Sequence, residues 1–134
     1  MSFLSLILLF KMAGTLVLLS GPFLLLPSSR LLAMTGAPNG PDGIVSLYRL
    51  MGVAYLALFV AYGTGFVTAQ QGVFPLGIVL MGLVSNVGGA LTMVMTGSVK
   101  RAGAARVTFI FISLVAVGLI ISTALGERAV QPIF

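Results

Sequence analysis

The sequence predicts an all-α polytopic membrane protein, a four-helix up-and-down bundle, and three observations predict it. Of 134 residues, 59% are hydrophobic and only 7% are charged, against about 25% charged in a soluble domain. Four apolar stretches recur, Phe3 to Leu26, Ile44 to Val67, Phe74 to Thr96 and Val107 to Leu125, each long enough for a hydrocarbon core of about 30 Å. The segments between them are short and rich in Gly, Pro and basic residues, as connections between antiparallel spans require. Residues 1–134 are accordingly read as one membrane domain.

The first stretch has a rival reading as a signal peptide, with Lys11 closing a positive region ahead of an apolar core. Thr35 and Ala37 offer small residues at cleavage spacing, but Pro38 would follow the cut and the apolar run already begins at Phe3. The stretch is therefore read as a retained helix. Pro27-Ser28-Ser29-Arg30 ends it, and Ser28 to Met34 is expected to form an interfacial turn or short helix, with Leu31, Leu32 and Met34 dipping inward. Pro38-Asn39-Gly40-Pro41-Asp42-Gly43 then turns the chain, placing Asp42 to cap the second span. Thr68 to Val73 is a tight uncharged connection, and Pro75 suits the first turn of the third span, where its missing donor costs nothing.

Orientation follows from the cationic residues, which are retained on the cytoplasmic side. Arg30, Arg49, Lys100, Arg101 and Arg106 share one side, while Lys11 and Arg128 lie toward the other. Both termini are expected to be non-cytoplasmic, in a pattern that suits a bacterial inner membrane. The net charge of +5 reads as topology information plus attraction to anionic lipid, about 1 kcal/mol per basic residue near the surface. The bases are dispersed beside lipid-buried chain, so nucleic acid is not an expected partner.

Residues on a helix rotate by about 100° per step, so spacing shows which side chains share a face. In the second span Tyr48, Gly52, Tyr55, Phe59, Tyr62 and Phe66 form one aromatic seam, expected to meet the first helix, a second protomer or a ligand. Ala54, Ala57, Ala61 and Gly65 form a small-residue row on another side, the pattern that lets helices approach closely in lipid. The third span gathers Gly82, Ser85, Asn86, Gly89, Thr92, Met93 and Thr96, and the fourth gathers Phe111, Val115, Gly118, Ser122 and Gly126. In the first, Lys11, Gly14, Thr15, Leu18, Gly21 and Pro22 fall together. Ala57, Ala61, Gly65, Gly82, Gly89, Gly118 and Ser122 are thus expected to pack helix on helix, with the small faces of spans two and three at the centre.

The absent residue types exclude most chemistry. Without Cys or His there is no thiolate metal site, iron–sulfur cluster, imidazole base or His-ligated haem. The only acids, Asp42 and Glu127, lie outside the apolar stretches, which excludes a proton exchanger driven by an intramembrane carboxylate. No nucleophile–base pair can be assembled, so neither catalytic residues nor a cofactor nor a metal is expected. Lys11 and Arg49 remain as charges within or beside a span, functional suspects because such charge is costly unless paired or hydrated. Arg49 can snorkel to the headgroups. Lys11 lies about 12 Å along its helix from Phe3 and either reaches the surface or aims inward. Asn86 must find a hydrogen-bond partner in mid-span, with Ser85, Thr92 and Tyr55 as further polar lining for a pore or ligand.

The stretch from Gly14 to Pro27, the turn-rich loop after it and Leu47-Tyr48-Arg49-Leu50-Met51-Gly52 resemble small four-helix bacterial inner-membrane proteins that carry no assigned reaction. The resemblance covers roughly the first three spans and implies the same fold. The leading expectation is a non-catalytic protein acting by helix–helix association with another membrane protein or with itself. The alternatives are a small passive transporter or channel for a small solute or anion, and a binder of a hydrophobic ligand.

Overall fold

The computed structural model describes residues 1–134, of which 81% are helical and none lie in strands. Helix α1 is Phe3–Leu25, α2 is Ser28–Met34, α3 is Asp42–Gln70, α4 is Leu76–Met95 and α5 is Ala104–Leu125. All but α2 are long and apolar enough to cross a membrane. They run up and down, so the two basic connections share one end, the basic side. Both termini and the uncharged turn after α3 share the other, the terminal side.

Local chemistry fixes the boundaries. Ser2 caps α1, its hydroxyl accepting from the Ser5 N–H at 3.2 Å. Asp42 departs from expectation. It is the first helical residue of α3, Pro41 occupies the cap position, and no side-chain cap bond forms. Pro41 supplies an extended backbone that starts the helix unaided, and Asp42 acts only through its charge at the positive end of the dipole. Pro75 likewise stands one position before α4.

The bundle is solid on the terminal side. Leu4, Leu8, Tyr62, Val79, Val115 and Leu119 are fully buried there. A 3-10 turn, Gly126–Val130, folds Ala129 and Val130 onto the same core. An isolated bridge between Ser2 and Pro132 and a hydrogen bond from the Ile133 N–H to the Met1 carbonyl tie the chain ends together. Lipid offers no hydrophobic force between helices, so close packing must hold them, and small residues make that packing possible. A Cβ on Gly118 would stand 2.6 Å from Ile7 Cδ1, one on Gly82 2.7 Å from Leu119 Cδ1, and one on Gly65 2.6 Å from Ile78 Cγ2.

Helices α1 and α3 pack as one pair and α4 and α5 as another, joined through α1 and α5. Helices α3 and α4 meet near the terminal side, where Gly65 receives Ile78 and Tyr62 reaches Gly82 and Ser85. Toward the basic side they diverge around a cleft. The small faces of spans two and three are therefore central only in part: Gly65 and Gly82 are buried, but Ala54 and Ala57 face outward. The aromatic seam explains this. It turns inward, where the Tyr62 hydroxyl finds Ser85 and Tyr48 and Tyr55 pack on Phe23, so the alanine row on the other side turns out.

Candidate functional site

Lys11 aims inward. Its residue is 4% exposed, and its ammonium donates to Asn86 Oδ1 at 2.7 Å. The same nitrogen lies 5.5 Å from the Tyr62 ring centroid and 5.0 Å from that of Phe111, distances at which the negative face of a ring attracts a cation. Asn86, fully buried, points its oxygen at the ammonium and its amide toward the Gly82 carbonyl at 2.6 Å and Ser85 Oγ at 3.4 Å. The Tyr62 hydroxyl and Ser85 Oγ lie 3.0 Å apart. One residue from α1, one from α3 and two from α4 thus form a polar cluster at about mid-bundle.

The cluster leaves the positive charge without a counter-charge. Both carboxylate side chains lie at helix ends, Asp42 opening α3 and Glu127 following α5. A neutral carboxamide and two ring faces solvate the ammonium without cancelling its charge. One turn further along α1 lies Thr15, fully buried, whose Oγ1 has no hydrogen-bond partner. Buried hydroxyls are nearly always paired, and a helical Thr ordinarily bonds a carbonyl of the preceding turn.

Thr15 also begins an irregularity. Residues Thr15–Ser20 are π-helical, and the Gly21 N–H bonds the Leu16 carbonyl five residues back. Pro22 follows, which has no N–H and whose ring would collide with the carbonyl four residues earlier. Widening the preceding turn relieves that conflict, and such π segments often mark functional positions.

Lys11 and Thr15 lie in the wall of a chamber of about 310 Å³ that all four spans line, with Leu19, Met51, Tyr55, Leu58, Ser85, Gly89, Thr92, Met93, Thr108 and Ile112. A second chamber of about 290 Å³ shares Leu19, Met51, Tyr55, Met93 and Thr108 with it and continues to Arg101 and Ser98 on the basic side. Together they form a cleft that runs from Arg101 and Ser98 on the basic side to Lys11 and also opens between α3 and α4, where Met51 and Thr92 are exposed; beyond Lys11 the terminal-side core is solid. Arg101 at its mouth is held by the Thr35 carbonyl at 2.9 Å and Ser98 Oγ at 3.1 Å.

Five of the six polar residues singled out from sequence come together here. Lys11, Tyr55, Ser85 and Thr92 line the chamber, and Asn86 stands behind Lys11 as its partner. The sixth, Arg49, does not join them, nor does it simply extend to the headgroups. Its guanidinium donates to the Phe23 carbonyl at 2.8 Å and the Leu26 carbonyl at 2.6 Å. Those carbonyls end α1 just before Pro27 and lack intrahelical donors, so a planar fork of donors at the negative end of the dipole is the fitting partner. Of the packing residues, Gly65, Gly82, Gly118 and Ser122 are buried between helices and Gly89 lies against Ile112, while Ala61 is half-buried and Ala57 exposed. The aromatic seam does meet the first helix, with Phe23 stacking between Tyr48 at 5.6 Å and Tyr55 at 5.8 Å.

Sequence reasoning missed Thr15, Tyr62 and Phe111 as members of the site. For Thr15 and Tyr62 a signal existed, since Thr15 follows Lys11 by one helical turn and Tyr62 lies on the tyrosine seam. Phe111 offered none beyond its place in a packing row. No protein-family model, no curated protein and no solved structure matches this chain. Fold and site together define a class: a four-span helical bundle with a buried lysine, paired with no carboxylate, at the inner end of a cleft.

Proposed function

We propose that the protein is a non-catalytic solute-handling membrane protein that takes a small anion into its cleft, the inward-open state of a small passive transporter. The observation that carries this reading is Lys11. The ammonium of a residue only 4% exposed, on a cavity wall and with no carboxylate within the bundle, is expensive to keep in the membrane interior. Packing alone gives no account of it, because a Met of similar shape would fill the space without the desolvation cost. An anion in the cleft gives the charge its partner.

The solid terminal side supports a carrier over an open pore, since a solute at Lys11 has no onward path without rearrangement. The cationic residues support an orientation with the basic side cytoplasmic and both termini outside, in a bacterial inner membrane. The test is flux in proteoliposomes. Uptake of a labelled organic anion, absent for a neutral solute of equal size and lost in Lys11→Gln while the protein stays folded, is the expected result. Equal leakage of anion and neutral solute in both proteins would remove the reading.

One observation favours the association reading expected from sequence. The outward Ala54 and Ala57 on α3, the span with the smallest buried share, suit close approach of another helix. Cross-linking in native membranes that captures one stoichiometric partner through α3, lost in Ala57→Leu, would favour it.

A further inference from the structure

Resting on the anion reading above, we propose that the cleft is built for a monocarboxylate with an apolar body, its head clamped between Lys11 Nζ and Thr15 Oγ1. The donors at the inner end number few and suit that head. An ammonium has three donors, and one is committed to Asn86. Two N–H groups and the unpartnered Thr15 hydroxyl remain, on two residues that line one chamber. Three donors satisfy most of the lone pairs of one carboxylate. One positive charge neutralises one negative charge. A sulfate or phosphate dianion would keep a net charge in the membrane interior and leave oxygens unmet, at a desolvation cost that nothing else in the cleft offsets.

The rest of the cleft selects the body. Between Lys11 and the mouth its walls are largely apolar, with Leu19, Leu58, Met51 and Met93 around the inner chamber and Phe23 and Leu18 in the outer one. A halide would fill a small part of a chamber of about 310 Å³ and gain nothing from these walls. A hydrocarbon body gains from each of them, and the two methionines are the side chains best able to adapt to its shape. From Thr15 to Phe23 the helix advances about 12 Å, at 1.5 Å per residue, which sets the length of body that lies under cover. A medium-chain fatty acid or a comparable arylalkanoate fits. A short acid reaches the clamp and leaves the walls unused, and a long one projects past Arg101.

The experiment uses the full chain in nanodiscs of zwitterionic lipid, with binding of radiolabelled decanoate corrected for empty discs. Competitors are butyrate, decanol, decylammonium, chloride and sulfate. The expected result is saturable binding of one decanoate per chain, weakened tenfold or more by Thr15→Val and abolished by Lys11→Gln. Competition by butyrate should be weak, and the other four should not compete. Lys11→Gln keeps a donor for Asn86, and an unchanged melting curve verifies that each variant is folded. If decanol or decylammonium competes as well as decanoate, or if Lys11→Gln binds normally, the cleft is an apolar groove without a clamp and the proposal falls. If chloride or sulfate binds in a Lys11-dependent way and decanoate does not, the anion reading survives and the apolar-body inference is overturned. If no anion of any class binds, both are overturned.

Discussion

The bond between Lys11 and Asn86 joins α1 to α4, and removing one end of it should cost more than removing both. In Asn86→Leu the ammonium loses a 2.7 Å charge-assisted bond, the one hydrogen bond it makes. Hydrogen bonds to charged groups contribute about 1.5 to 3 kcal/mol, and a buried group left unpaired costs its desolvation as well. The ring faces of Tyr62 and Phe111 remain, and desolvated cation–π contacts of about 2 kcal/mol each limit the loss. Interhelical hydrogen bonds between neutral groups in membranes average about 0.6 kcal/mol, so a charged one belongs above that, and Asn86→Leu should destabilise by about 2 to 3 kcal/mol. Lys11→Met leaves only a neutral carboxamide oxygen unpaired and removes the buried charge, so it should cost less. In the double variant nothing polar is left stranded between the two positions, and it should be more stable than Asn86→Leu alone. Reversible unfolding of the four proteins in mixed micelles, titrated with denaturing detergent, measures the cycle. If the two single effects simply add, or if Asn86→Leu lies within about 0.5 kcal/mol of the parent, a range typical of surface substitutions, the polar cluster is not the tie between α1 and α4 described above.

Other expectations are read with simpler assays. Gly118→Leu drives a side chain into Ile7, whose Cδ1 is 2.6 Å from the Cβ position, and should destabilise by about 2 kcal/mol or more by overpacking. Gly88→Ala, with nothing within 4 Å, should be neutral or stabilising by up to about 1 kcal/mol in the same unfolding titration. Arg49→Met strands the Phe23 and Leu26 carbonyls and should lower the melting temperature, and Arg49→Lys should restore only part of the loss because a point charge cannot bridge both. Since the chain has no Cys, Lys100→Cys and Glu127→Cys can be labelled singly with an impermeant thiol reagent. They should react from opposite sides of oriented vesicles, and reaction from one side would refute the up-and-down topology.

The fold was legible because it depends on quantities that composition and spacing carry directly: span length, loop chemistry and the positions of small residues. Gly118 and Ser122 are buried between helices, and Gly65 receives Ile78 of the third span and Gly82 receives Leu119 of the fourth. Ala57 faces outward within the chain because two faces of α3 compete for the interior and periodicity alone does not rank them. The tyrosine seam ranks higher, since its rings bury more area and the Tyr62 hydroxyl finds Ser85 inside, where an unpaired polar atom would cost more than a missed close approach. The inward aim of Lys11 was undecidable from its helical position, because a long side chain about 12 Å along its helix reaches either destination. What decides it is Asn86, 75 residues away, and such a distant partner leaves no trace in local spacing. Arg49 was legible as a structural residue while its role as a cap was not, since the carbonyls it serves belong to another helix.

The inward face of α1 was legible in its first half only, because Phe23 joins it against the α-helical count, and the reason is testable. At about 100° per residue, Phe23 should lie some 120° around the helix from Lys11, with Leu18, Gly21 and Pro22 on the lysine side instead. The π segment Thr15–Ser20 takes out about one residue's rotation, roughly 100°, and brings Phe23 into line with Lys11, Thr15 and Leu19. There it stacks on Tyr48 and Tyr55 and walls the outer chamber. Pro22 is the cause to test, because it is the residue that cannot continue the α-helical ladder. Pro22→Ala restores the missing donor, so the ladder should close back onto Leu18 and Phe23 should rotate away from α3. In a Phe23→Cys, Tyr55→Cys protein a short bis-thiol cross-linker should join the two positions efficiently, and adding Pro22→Ala should suppress the reaction. Cross-linking that is indifferent to Pro22→Ala would mean that tertiary packing, through Ser20 on the Gly52 carbonyl and the close seat of Gly52 against Phe23 and Leu24, holds the π turn without the proline. In either case the cleft owes its aromatic wall to a local departure from the α-helix, which periodicity counted at a fixed angle could not register.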